Sequence, residues 1–128
     1  MKVEWQELID RALEARKRAY VPYSSFPVGA ALLTKDGKLY TGCNIENASY
    51  SLSTCAERTA LIKAVDAGER DFSAIAVVAD IEGGCPPCGA CRQIIYEFAP
   101  DIKVIMANLK NEVVEITLKE LLPRSFKL

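Results

Sequence analysis

The residues best equipped for chemistry in this chain are thiols. Residues 85–91 read CPPCGAC, which sets Cys85, Cys88 and Cys91 at an even spacing of three in a 128-residue chain that has no histidine. Evenly spaced thiols can form a disulfide knot, an iron–sulfur cluster or a zinc site, or can pair a bystander with two true ligands. The lack of histidine excludes Ser-His-Asp and His-Glu-x-x-His chemistry, so a carboxylate is the natural proton carrier of any hydrolytic site.

Cys88 and Cys91 fall at the predicted start of a helix, three apart and on one face, with Pro87 placed to set up the first turn. The positive end of a helix lowers thiol pKa and favours the thiolate that a metal needs. Cys55 stands at a second predicted helix start, and Glu57 follows two residues later. Residues i and i+2 do not share a face on a regular helix, but the first residue is not yet helical, so Cys55 and Glu57 can point at one spot. Three thiolates from two helix starts would leave a tetrahedral zinc one open position, the layout of a catalytic centre.

Cys85 could close such a site as a fourth ligand. Against this, Pro86-Pro87 holds the backbone extended and turns Cys85 away from the helical face, so Cys85 is expected to be the bystander. The ferredoxin run C-x2-C-x2-C-x3-C-P lacks its fourth cysteine here. Cys43, among apolar hairpin residues, reads as a small hydrophobe.

The elements that must position these residues are legible as an alternation. Apolar residues at helical spacing predict an amphipathic helix over 4–19, ended by Val21-Pro22. Two apolar runs around Lys35-Asp36-Gly37 predict a hairpin, and ENASYSLST a loop. A helix over 55–67 is expected, with Thr54 as its cap and Gly68 closing it. FSAIAVVA (72–79) reads as a strand buried on both faces. The thiol-bearing helix ends before Pro100, KVIMAN and EVVEITL give two more strands, and Thr117 caps a short last helix stopped by Pro123. The order α-β-β-α-β-α-β-β-α predicts an α/β fold of three layers, α/β/α, with a mixed five-stranded sheet. At 128 residues the chain, 1–128, is expected to be a single domain.

Half the residues are hydrophobic, enough for one core without disulfide staples. A net charge of −1 with dispersed Lys and Arg gives no electrostatic footprint for nucleic acid. The N-terminal segment lacks a signal peptide's apolar stretch, and no segment reaches the roughly 20 apolar residues of a membrane span. A cytoplasmic chain is expected, where the odd count of five cysteines favours metal or catalysis over disulfides.

Cys55-Ala56-Glu57 followed by Pro87-Cys88-Gly89-Ala90-Cys91 resembles the zinc nucleoside deaminase signature. The strings YSSFPVGAAL (23–32), GCNIENA (42–48) and Cys91-Arg92-Gln93 narrow the resemblance to the small, all-cysteine, tetrameric cytidine deaminases, over nearly the whole chain. Cys85 departs from that pattern, which has no thiol there.

The resemblance implies hydrolytic deamination of cytidine and deoxycytidine to the uridine products and ammonia, as in pyrimidine salvage. It implies one Zn2+ per subunit on Cys55, Cys88 and Cys91, with water as the fourth ligand and Glu57 as the proton shuttle. Ala56 would meet the base through its backbone, Phe26 would pack on the nucleoside, and Asn44 and Glu46 would bind the ribose hydroxyls. Tyr50 and Phe126 would reach the site of a neighbouring subunit in a homo-oligomer, a tetramer, with Phe126 stacking on the pyrimidine. Three thiolates outweigh the charge of Zn2+, so Arg58, directly after Glu57, is expected to donate hydrogen bonds to ligand sulfurs.

Two rival readings fit the same residues. One is a deaminase of another cytosine-bearing compound such as a blasticidin-type antibiotic, against which Asn44-Ile45-Glu46-Asn47 argues for a sugar. The other is a non-catalytic, zinc-stabilised binding module closed by Cys85. Editing of DNA or RNA is disfavoured by the lack of a basic groove.

Overall fold

A computed structural model describes residues 3–128, so residues 1 and 2 of the expected domain lie outside the described residues. The described elements follow the expected order: α1 (Val3–Arg16), β1 (Val28–Thr34), β2 (Leu39–Cys43), a short 3-10 turn (Tyr50–Leu52), α2 (Ala56–Asp66), β3 (Phe72–Ala79), α3 (Gly89–Phe98), β4 (Lys103–Asn108), β5 (Val113–Thr117) and α4 (Leu118–Leu121). The strands form one mixed sheet in the order β2-β1-β3-β4-β5, in which β3 and β4 run parallel and the other pairs antiparallel.

Alternation along the central strands explains the layering. Ala74, Ala76 and Val78 of β3 pack with Ala31, Ile105 and Ala107 against Leu8, Ile9 and Ala12 of α1. Ile75 faces the other way, joining Ala30, Leu32 and Val104 beneath α2, α3 and Leu118 of α4. Successive strand residues point to opposite faces, so β3 is buried along both and its near-continuous apolar run is required. This is the predicted three-layer α/β/α fold.

Small residues bring α2 down onto the sheet. Ala56, Ala60 and Ala64 are fully buried, and Gly42 of β2 lies so close that a Cβ there would stand 2.5 Å from the Ala60 nitrogen and 2.7 Å from the Ala56 carbonyl. The start of α2 is thereby fixed against the end of β2. At the other end, Gly68 takes a φ of 96°, the left-handed turn expected to stop the helix.

Strand register collects the functional segments at one rim. Val28 pairs with Ala79, Gly29 with Cys43, and Ala79 with Asn108, so the start of β1 and the ends of β2, β3 and β4 share an edge. Both α2 and α3 begin beside that edge. The opposite rim carries the Thr34–Lys38 turn and the connections before β3 and β4.

Three local expectations are corrected. Helix α1 ends at Arg16 rather than residue 19, because Tyr20 is drawn into a bridge with the 44–46 segment: its N–H donates to the Asn44 carbonyl at 3.0 Å and its carbonyl accepts from Glu46 at 2.9 Å. Cys55, not Thr54, is the N-cap of α2; Thr54 is instead bridged to Ile45. Pro87 lies outside the first turn of α3, whose N-cap is Cys88.

Candidate metal centre and active site

Cys55 and Cys88 occupy equivalent positions, each the last extended residue before a helix, with φ/ψ of −72°/155° and −66°/165°. A side chain at an N-cap points back across the first turn, where the first helical N–H groups lack intrahelical partners. The Cys88 thiol uses this directly, accepting from the Cys91 N–H at 3.4 Å. Cys91, two residues into α3, is buried and completes the group. The three sulfurs lie within 4.8 Å of one another.

The donor set fits zinc. Ligands at about 2.3 Å around a tetrahedral centre lie roughly 3.8 Å apart, and the Cys55 and Cys88 sulfurs are 3.7 Å apart. Hydrogen bonding from Cys91, reinforced by Cys88 and Arg58, holds the Cys55 thiol down at about 5. The same bond to Cys55, together with burial, drives Cys91 upward. A divalent cation held by the three sulfurs would displace their protons.

Arg58, one turn after Cys55, places Nη2 3.8 Å from the Cys55 sulfur, as expected of a group that offsets thiolate charge. Glu57 is 4% exposed, and burial, aided by the charge on Cys55, pushes its carboxyl up to about 7. A carboxyl in that range can both take and give a proton near neutrality.

Cys55, Cys88 and Glu57 open onto a cleft of about 280 Å³ whose walls also include Phe26, Asn44, Glu46 and Ala56. Seven residues expected of the site therefore share one cavity, with Cys91 buried behind it. The wall also contains Cys85, which lies outside the thiol cluster, packs with Val77 and Ala79, and is pushed to about 11 by burial and by Glu57. Its neutral, apolar setting suits a bystander. Cys43 is buried as a small hydrophobe.

Asn44 braces the rim, its Nδ2 donating to the Phe26 carbonyl at 2.9 Å and its Oδ1 accepting from the Val28 N–H at 2.8 Å. One N–H and one lone pair of the amide remain for a ligand. The Glu46 carboxylate is held below the usual range by the Ser24 hydroxyl.

Two expected residues stand apart from this cleft. Tyr50 meets Tyr23 edge-on at 5.9 Å and lines an adjoining cavity with Ser24, Glu46 and Ser53. Phe126 is 68% exposed beside the second turn of α3.

The sequence reading passed over three positioning side chains. Gln93 clasps the tail on both sides, donating to the Phe126 carbonyl at 2.8 Å and accepting from its N–H at 3.1 Å. Arg92 donates to the Pro87 carbonyl and to the Leu121 carbonyl, each at 2.9 Å, tying the Pro-Pro turn to α4. Ser24 bonds Glu46 across the cleft rim. Their sequence signal was membership in the strings YSSFPVGAAL and Cys91-Arg92-Gln93 that carry the resemblance, which gave them no role of their own.

Residues 3–108 match the model of the family described as "Cytidine and deoxycytidylate deaminase zinc-binding region". The chain is 60% identical over 122 residues to a cytidine deaminase of Halalkalibacterium halodurans, a match covering 94% of this chain and 92% of that one. It is 57% identical over 122 residues to a cytidine deaminase of Sporosarcina psychrophila, covering 94% and 90%. The 1.6 Å crystal structure of cytidine deaminase from Burkholderia pseudomallei is similar at a TM-score of 0.93 and 50% identity, over 98% of this chain and all of that one. With the thiol cluster and the buried glutamate in place, these matches show that the chain belongs to the cytidine and deoxycytidylate deaminase family.

Proposed function

We propose that this chain is a zinc-dependent hydrolase that converts cytidine and deoxycytidine to the corresponding uridines and ammonia, serving pyrimidine salvage in the cytoplasm. The observation that carries this reading is the convergence of three thiols and one buried carboxylate on a cleft walled by an aromatic ring and two polar side chains. Residues 1–128 act as one catalytic domain. Five unpaired thiols suit a reducing compartment.

Cys55, Cys88 and Cys91 hold one zinc ion. When bound, zinc supplies Lewis acidity and lowers the pKa of water at the site. Glu57 moves the protons: it accepts one from the attacking water as that oxygen bonds to C4 and places it on N3 of the pyrimidine, then takes the remaining hydroxyl proton and delivers it to the amino group, which leaves C4 as ammonia while the carbonyl forms. The N–H of Ala56, among the unpaired donors of the α2 start, meets O2 of the base. Phe26 covers the nucleoside, while Asn44 and Glu46 take the sugar hydroxyls. Phe126 and Tyr50 complete the site of a neighbouring copy in a homotetramer, a role favoured by a solvent-facing ring whose backbone is nonetheless fixed by Gln93.

The test is incubation with cytidine and deoxycytidine, following loss of cytosine absorbance and release of ammonia. Turnover of both is expected. Turnover of a blasticidin-type antibiotic without cytidine, or no turnover by zinc-loaded protein, overturns the reading.

Arg58 acts through the sulfurs rather than on substrate. Arg58→Gln is expected to lower zinc affinity or kcat about 10- to 100-fold, the usual effect of losing a partner of metal ligands. Metal titration beside steady-state kinetics checks this, and unchanged values in both would remove Arg58 from the site.

A further inference from the structure

The cleft rim is built from two segments, 23–28 and 44–46, and one hydroxyl ties them together. Glu46 Oε1 accepts from the backbone N–H of Tyr23 at 3.0 Å and of Ser24 at 3.1 Å. Its Oε2 accepts from the Ser24 hydroxyl. Ser24 Oγ in turn accepts from the Phe26 N–H at 3.1 Å. The next residue, Ser25, has a φ of 57°, a left-handed conformation that a serine enters only at a cost.

A carboxylate offers about four acceptor positions, and three on Glu46 are used inside the chain. The fourth lies on Oε2, the oxygen whose direction the Ser24 hydroxyl controls. The backbone donors engage Oε1, and the Ser24 hydroxyl is the group that engages Oε2. Ser24, Phe26 and Glu46 all line the same cleft.

We infer that Ser24 is a positioning residue for sugar recognition, its hydroxyl orienting Glu46 so that the one remaining acceptor position on Oε2 is kept for a nucleoside hydroxyl. This rests on the reading of Glu46 as a sugar contact. It assigns sugar selectivity to a residue that need not touch the substrate.

Steady-state kinetics on cytidine, with 2′,3′-dideoxycytidine as a competing ligand that lacks both ring hydroxyls, separates this role from a merely structural one. Ser24→Ala is expected to raise KM for cytidine about tenfold with kcat changed less than about twofold, as for one lost charge-assisted hydrogen bond. The inhibition constant of the dideoxy ligand should stay within about twofold, since no hydroxyl is there to be misplaced. Ser24→Cys keeps the shape without the strong donor and should behave alike, which serves if the alanine variant fails to fold. Equal weakening of both ligands, or an unchanged KM for cytidine, overturns the inference. The underlying reading is checked on the unmodified chain, which must favour cytidine over the dideoxy ligand, and on Glu46→Gln, which must erase that preference. If both hold and the Ser24 variants keep the preference, only the Ser24 inference falls. If the unmodified chain shows no preference, or Glu46→Gln retains it, the sugar contact falls and this inference with it.

Discussion

Replacing Glu57 by glutamine is expected to lower kcat for cytidine by about 1,000-fold, within the span of 10²–10⁴ that a positioned acid–base group contributes. KM should move by less than about tenfold, because the amide keeps the volume and most polar contacts of the carboxyl while losing the ability to carry a proton. Folding should not suffer. Glu57 sits at the second position of α2 at 4% exposure, and burial works against its charged form. A neutral isostere is therefore expected to melt at the same temperature or higher. That pairing of a lost rate with kept stability separates a chemical role from a structural one. A glutamine variant that turns over cytidine at a rate near that of the unmodified chain would sink the mechanism.

The second large effect concerns the thiols. The chain is expected to bind about one zinc ion, and Cys91→Ala to lose the metal and, with it, a factor of about 1,000 or more in turnover, since metal catalysis contributes several kcal/mol. Elemental analysis of purified protein beside the activity assay reads both. Cys85→Ser is the informative control: packed with Val77 and Ala79 outside the sulfur cluster, it is expected to leave metal content and rate intact. Loss of zinc in that variant would mean a closed four-cysteine site, and with it the non-catalytic binding module. Retention of zinc by Cys91→Ala would remove Cys91 from the ligand set.

What the sequence disclosed, and what it did not, follows the range of each interaction. The hairpin at Lys35–Gly37, the stop at Gly68 and the Thr117 cap of the last helix are local events within a few residues, and all three stand where expected. The convergence of Cys55 and Glu57 was legible because a helix start breaks the 3.6-residue period at a known place. The exact caps were not legible. Thr54 is the better capping residue by type, yet its backbone is bridged to Ile45, and tertiary pairing outweighs a local preference. The same holds for the early end of α1 at Arg16, where Tyr20 joins a segment more than twenty residues away. Ser24 with Glu46, and Gln93 with Phe126, are separated by 22 and 33 residues. Nothing in a local pattern reports such pairs; they join loop, helix and tail segments distant along the chain.

The gathering of the sulfurs, Glu57 and the cleft walls at one rim of the sheet divides the molecule by tolerance to change. Along the far rim, the Thr34–Lys38 turn and the connections before β3 and β4 meet none of the sulfurs, Glu57 or the cleft walls. An inserted tag, a reporter dye or a lengthened turn at Asp36 would be separated from the reacting atoms by the full height of the strands. The near rim has no such latitude: a single added residue between Cys85 and Cys88, or between Asn44 and Glu46, would displace a wall of the cleft.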